Sequence, residues 1–251
     1  MKLRTILFGL FVLTLTNCSN DKPQTSSDVT IVGEMRSVMW DGELGGKIDL
    51  QTISDKENLY GLGPVEYLRG EIMILDGRAY KSTVTSDTTM KVEETYRIKA
   101  PFFGYATISE WSEQSLPDSI QTIQQLEEYL DSATKTSPRP FMFKLSGVAE
   151  EALIHIVNLP EGTEVRSPAE AHQGQTDYPL YNEEFEIVGF FSTEHQRIFT
   201  HHDTYLHMHL ITTDRQKMGH LDDVLFEKGT LNLSLPSFAS HRIAEEENGT
   251  E

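Results

Sequence analysis

Residues 205–223 read Tyr205-Leu206-His207-Met208-His209-Leu210-Ile211-Thr212-Thr213-Asp214-Arg215-Gln216-Lys217-Met218-Gly219-His220-Leu221-Asp222-Asp223, and this run decides both the architecture and the chemistry to look for. On an extended strand successive side chains point to opposite faces, so His207 and His209 project from one face about 7 Å apart. The polar segment from Thr213 ends at Gly219, which suits a turn that brings a second strand back alongside the first. His220 opens that returning strand. Three imidazoles gathered this way, with no fourth protein ligand, leave a position of one divalent ion open for water or substrate. That is the catalytic rather than the structural arrangement for zinc.

Six of the nine histidines, at 195, 201, 202, 207, 209 and 220, fall in this neighbourhood, so an accidental surface cluster is the competing reading. The third histidine at the end of a short hairpin favours the ligand set. His201 and His202, in a polar His-His-Asp-Thr stretch, read as a solvated loop.

The N-terminus reads as an export signal. Lys2 and Arg4 are positive and Ile6 to Leu15 is almost entirely apolar, a core too short to span a membrane in the mature protein. It runs into Leu15-Thr16-Asn17-Cys18, a lipobox-like sequence in which Cys18 becomes the lipidated first residue of an exported, membrane-anchored bacterial lipoprotein. Asn17 stands where a small residue is usual, and an ordinary cleaved signal is the alternative. Cys18 is the only cysteine, so an intramolecular disulfide and a thiolate metal site are excluded and any metal is held by nitrogen or oxygen. Residues 19–29 read as a flexible tether, residues 30–238 as the folded part and residues 239–251 as an acidic tail. The net charge of −18 argues against nucleic acid or acidic membrane as a partner, since phosphate contacts need a basic face. A lipid anchor at Cys18 is then the only membrane contact expected.

Short apolar or alternating runs bounded by Gly, Asp, Asn and Pro make the β-strand the dominant element. Strands are expected at 29–34, 69–75, 78–85, 90–98, 104–110, 141–147, 151–158, 185–191, 205–212, 220–227 and 230–235. Asp76-Gly77 marks a tight hairpin. One helix is expected from Pro117 to Ala133, where Ile120, Ile123, Leu126 and Leu130 recur at three- and four-residue steps, and a short one from Met35 to Trp40. Leu159 to Tyr181 reads as a long irregular connection, of the kind that often covers a site.

With these motifs placed, the chain resembles the alpha-acetolactate decarboxylases over roughly Gly33 to Phe238. The most specific match is Tyr205-Leu206-His207-Met208-His209, then Asp214-Arg215 and Gly219-His220-Leu221-Asp222, which resembles the family's pattern around its metal-binding histidines. Gly61-Leu62-Gly63, Leu68-Arg69-Gly70-Glu71 and Leu75-Asp76-Gly77 resemble a second family run, and Ala100-Pro101-Phe102 and Ile187-Val188-Gly189-Phe190 fit weaker positions. The resemblance implies a β-rich α/β chain with few helices, built of two β subdomains: a mixed β-sheet followed by a barrel-like sheet carrying the histidines, with dimerisation as a further expectation. It also implies decarboxylation of a small-molecule substrate, 2-acetolactate, to acetoin and carbon dioxide, with zinc on His207, His209 and His220 and with Glu71 as the catalytic acid.

Two departures stand out. Arg69 replaces the aspartate usual before Gly-Glu. Where the family carries an arginine suited to the substrate carboxylate, this chain reads His155-Ile156-Val157-Asn158-Leu159-Pro160, leaving His155 and Arg166 as candidate donors. Two alternatives remain open on sequence alone. A cupin-like metalloenzyme also uses His-x-His, but lacks here the expected flanking glycine and glutamate. A metal-binding lipoprotein without enzymatic activity is the other.

Overall fold

The alternation does produce strands along most of the chain. The computed structural model describes residues 28–194 and 204–237; the expected signal, Cys18, nearly all of the tether, His201, His202 and the acidic tail lie outside the described residues. In chain order the elements are β1 (Thr30–Val32), α1 (Met35–Asp41), β2 (Ile48–Asp49), β3 (Leu59–Pro64), β4 (Glu71–Leu75), β5 (Arg78–Ser86), β6 (Thr89–Glu94), β7 (Lys99–Ala100), β8 (Phe103–Thr107) and β9 (Trp111–Ser115). They continue with α2 (Ile123–Ala133), β10 (Phe141–Ile156), α3 (Pro168–Ala171), β11 (Thr176–Phe191), β12 (Leu206–Thr212), β13 (Met218–Phe226) and β14 (Asn232–Pro236).

The first sheet has the order β1-β8-β3-β4-β5-β6. Its pairings are all antiparallel rather than mixed, because β3 to β6 follow one another through connections too short for a parallel crossover. The Asp76-Gly77 hairpin forms as expected, with both residues left-handed at φ 48° and 72°, the requirement of a two-residue turn. The small β2–β7 sheet covers one face of this sheet, packing Leu50, Ile98 and Ala100 against Leu59, Ile72, Ile74 and Phe103.

The second sheet runs β11-β12-β13-β10-β14-β9, and β11 also pairs with β10. Along one edge β10 is bonded to β11 over its whole length; along the other it is bonded first to β14 and then to β13. The sheet therefore closes on itself into a partial barrel. Phe141, Phe143, Leu145, Ile154, Leu180, Phe185, Met208, Leu210 and Leu221 fill its interior together with Leu126 and Leu130 of α2. Alternate residues point the other way: Met142, Val188, Phe190 and Ile211 pack against Tyr60, Leu62, Met73 and Leu75 of the first sheet. The contact between the two sheets is thus an apolar layer built from period-two alternation on both sides.

Several element bounds differ from expectation. The two strands expected at 141–147 and 151–158 are one, because a bulge between Ala149 and Glu151 absorbs the irregularity and lets pairing run on. The connection 159–181 is irregular only to residue 175, apart from α3. Thr176 to Tyr181 extend β11 against the long β10, in a part that β12 does not reach, so Pro179 leaves no ladder bond unmade on that side. Helix α2 begins at Ile123 rather than Pro117. Thr122 caps it in a capping box with Gln125, which satisfies two of the first-turn N–H groups. The strands β2, β3, β7 and β9 were not expected.

Where β13 crosses β10, Gly219 has no room for a side chain, since a Cβ there would lie 2.5 Å from the backbone oxygen of His155. The Gly219→Ala variant is expected to lose about 1–3 kcal/mol in urea unfolding and to weaken metal uptake, because the strand that must move carries His220. A variant as stable as the parent would contradict this close approach.

Candidate metal centre and its pocket

Strand register assembles the site. His209 of β12 pairs with Val188 of β11 and with His220 of β13, and His220 pairs in turn with His155 of β10. Directly opposed residues of antiparallel strands share a face, so one cross-strand row carries His209, His220 and His155. His207, two residues from His209, is on the same face. That face looks toward the first sheet, because the intervening Met208, Leu210 and Leu221 are in the barrel core.

His207, His209 and His220 are all buried, and each offers a nitrogen within 4.8 Å of the others. Their ring centroids are 5.0–5.5 Å apart. Three converging imidazoles fit one divalent cation with nitrogen preference, zinc among them. The structure brings together the three histidines that the sequence reading singles out.

Glu71 comes from the facing sheet. On β4 the residues Glu71, Met73 and Leu75 alternate toward the inter-sheet layer, so Glu71 ends an apolar row and is 3% exposed. Its Oε2 is 3.6 Å from His209 Nε2, and its Oε1 accepts the N–H of Val157 at 3.2 Å. Burial pushes its carboxyl up to about 8, partly offset by the His155 ring and the Val157 N–H and reinforced by Asp222. The preceding glycine has a structural reason: Gly70 adopts φ 138°, and a Cβ there would meet the Ser82 carbonyl at 2.2 Å.

His155, the fourth histidine of this face, stacks on His220 with centroids 4.7 Å apart. Its Nδ1 donates to both carboxylate oxygens of Asp222, at 2.7 and 2.8 Å, which leaves Nε2 as the nitrogen available to a ligand. Burial alone would push this imidazole down; the hydrogen bond and charge of Asp222, with Glu71 and Asp177 adding to them, outweigh it and hold it above its ordinary value. Arg166 and Arg69 do not reach the site. Arg166 is exposed and paired with Glu164 at 2.7 Å, and Arg69 lies in a separate surface groove beside Tyr67 and Leu159.

Two of the triad, His207 and His220, line a cavity of about 130 Å³, close to the roughly 150 Å³ that takes up benzene in an engineered core. Glu71, His155, His172, His207 and His220 give it one polar side, and Met35, Met39, Trp40, Leu68, Phe102 and Val157 an apolar one. Among the described residues, no arginine or lysine lines it. His172, whose Nδ1 donates to the Pro168 carbonyl at 2.6 Å, and the α1 residues had no local sequence signal as site residues, because their roles arise from contacts across distant elements; Asp222 stood in the histidine motif, but its pairing with His155 left no signal there.

The sequence profile described as alpha-acetolactate decarboxylase matches residues 33–248. The chain belongs to the alpha-acetolactate decarboxylase family. It is 26% identical over 177 residues to the alpha-acetolactate decarboxylase of Lactococcus lactis subsp. lactis, covering 69% of this chain and 70% of that one. It is also 26% identical over 219 residues to that of Methanosarcina mazei, covering 87% and 72%. The solved alpha-acetolactate decarboxylase of Bacillus subtilis strain 168 superposes with a TM-score of 0.66 at 22% identity, over 82% of this chain and 85% of that one. That likeness is one of fold. Family membership places the chain among the decarboxylases and agrees with the resemblance carried by its histidine run.

Since the folded pKa of Glu71, about 8, lies above the ordinary carboxylate value near 4.3, the native metal-free protein holds a proton that the unfolded chain has released between those limits. Its stabilising contribution is full below about pH 4.3 and is lost as pH rises through 8. Metal-free Glu71→Gln is therefore expected to gain stability relative to the parent as pH is raised from 5 to 8, measured by denaturant unfolding at each pH. A stability difference that does not change with pH would show that Glu71 is ionised throughout.

Proposed function

We propose that this chain converts 2-acetolactate, a 2-hydroxy-3-oxo acid, into acetoin and carbon dioxide, with zinc on His207, His209 and His220. The observation that carries this reading is the buried Glu71 carboxyl beside the three buried imidazoles, on the polar side of a cavity sized for a small acid. When bound, the ion supplies Lewis acidity to the oxygen on which charge develops. The bond to the carboxylate breaks, its electron pair moves onto the neighbouring keto oxygen, and carbon dioxide leaves. The resulting enediolate needs a proton at the carbon that has lost the carboxylate. Glu71, beside the imidazoles at 3.6 Å from His209, is the acid placed to deliver one on a single face, so that one acetoin enantiomer forms. Water then returns a proton to Glu71.

A second reading, a metal-binding lipoprotein without decarboxylase activity, is favoured by one observation: among the described residues no arginine or lysine lines the pocket to receive a substrate carboxylate. Acetoin formation from racemic 2-acetolactate, with metal content measured on the same sample, separates the two. His207→Ala and His209→Ala are expected to lose metal and acetoin together, and Glu71→Gln to keep metal while losing about 100-fold or more in rate. Stoichiometric metal with no acetoin would support the second reading, and full activity in Glu71→Gln would remove the acid from its role.

The proposal extends to location, with residues 1–18 as signal and a lipid on Cys18. Radiolabelled palmitate incorporated by the parent and absent from Cys18→Ala is the expected result; label in both would refute it.

A further inference from the structure

We infer that helix α1, through Met35 and Met39, sets the size of the alkyl substituent that the pocket accepts; the inference rests on the proposed reading for the chemical class of the substrate, a 2-hydroxy acid. Met35 and Met39 stand four residues apart, one above the other on the same helix face, and both line the cavity. Both are nearly buried, packed with Phe102, Leu68 and Val157. Phe102 bridges the two sides, its ring centroid 6.1 Å from that of His207. A ligand with its oxygen atoms among the imidazoles therefore faces Phe102 and the methionines with whatever alkyl group it carries on the neighbouring carbon. Trp40, 41% exposed, stands at the rim.

Apart from the indole N–H of Trp40 at the rim, the apolar side offers no polar side chain and discriminates by volume and shape. In such a pocket one methylene too many changes binding by roughly 10-fold or more. The thioether side chains are the adaptable part of this wall, whereas Phe102 and Leu68 are pinned between sheet and helix. The limit on length is therefore set by α1.

The test uses the zinc-loaded full-length protein and non-reacting probes, 2-hydroxyisobutyrate and its homologues in which one methyl is lengthened to ethyl, propyl or butyl, titrated by calorimetry. The parent is expected to bind the short acids and to fall off by about 10-fold at a definite length. Met39→Ala and Met35→Ala are expected to move that length outward by at least one methylene. Val38→Ala is the structural control, since Val38 is fully buried in the same helix but does not line the cavity; it is expected to lower stability and leave the length profile where it was. An unchanged profile in both methionine variants, the same shift in Val38→Ala, or no binding of any probe by the parent would overturn the inference. Acetoin production from 2-acetolactate is measured in parallel. The expected binding profile without acetoin would leave α1 as the size limit and overturn the decarboxylase reading alone.

Discussion

The site depends on β10 being paired along both edges, with β11 on one side and with β14 and then β13 on the other. This closes the sheet, and closure generates the row Val188, His209, His220, His155, Asp177, which leaves β11 and returns to it through three other strands. The three imidazoles are thus placed by backbone register. A slip by one residue would turn every side chain of β12 over and drive Met208 and Leu210 out of the barrel core, so the apolar residues between the histidines hold the imidazoles in place. The bulges at Ala149–Glu151 and Leu153–Ile154 supply the bend that the closure needs.

The second constraint is the apolar character of the layer between the sheets. Glu71 shares a strand face with Met73 and Leu75, and a charge there is expensive, which is why burial leads the causes that raise its carboxyl. A divalent ion on the histidines works in the opposite direction, because a cation within a few ångströms favours the ionised form. Occupancy of the triad and protonation of Glu71 are therefore coupled. A metal ion held there would make Glu71 a stronger acid, and its loss would be accompanied by proton uptake.

The histidine triad was legible because its signals are local: His-x-His at period two, a polar turn, and a glycine before the third histidine. Glu71 was legible only through the resemblance of its surrounding motif, since an acidic residue after a glycine reads by itself as exposed and its burial comes from a sheet formed much later in the chain. The pairing of His155 with Asp222 spans 67 residues and left no periodic trace. The same holds for the long β10 and β11. β10 reads as two strands because the bulge resembles a break, and β11 reads as a strand over 185–191 only, because Pro179 makes its first part resemble a connection when the partner strand is not in view. The start of α2 was missed for a different reason: Pro117 is a good first-turn residue, and it drew attention from the Thr122–Gln125 capping box that begins the helix.

That no arginine or lysine lines the pocket among the described residues bears on how the proposed reaction would be driven. A carboxylate moved from water into a cavity walled by Met35, Met39, Leu68 and Phe102 loses hydration without gaining an arginine, which raises the energy of the bound acid. On leaving as carbon dioxide the group has no charge, so the penalty is relieved in the direction of reaction while the developing charge moves to the keto oxygen, on the imidazole side. A penalty felt by the ground state and relieved in the transition state weakens substrate binding more than turnover. His155, fixed by Asp222 with its Nε2 left for a ligand, is a polar group that can orient the substrate there, and the cavity can work on a carboxylate that it does not hold tightly.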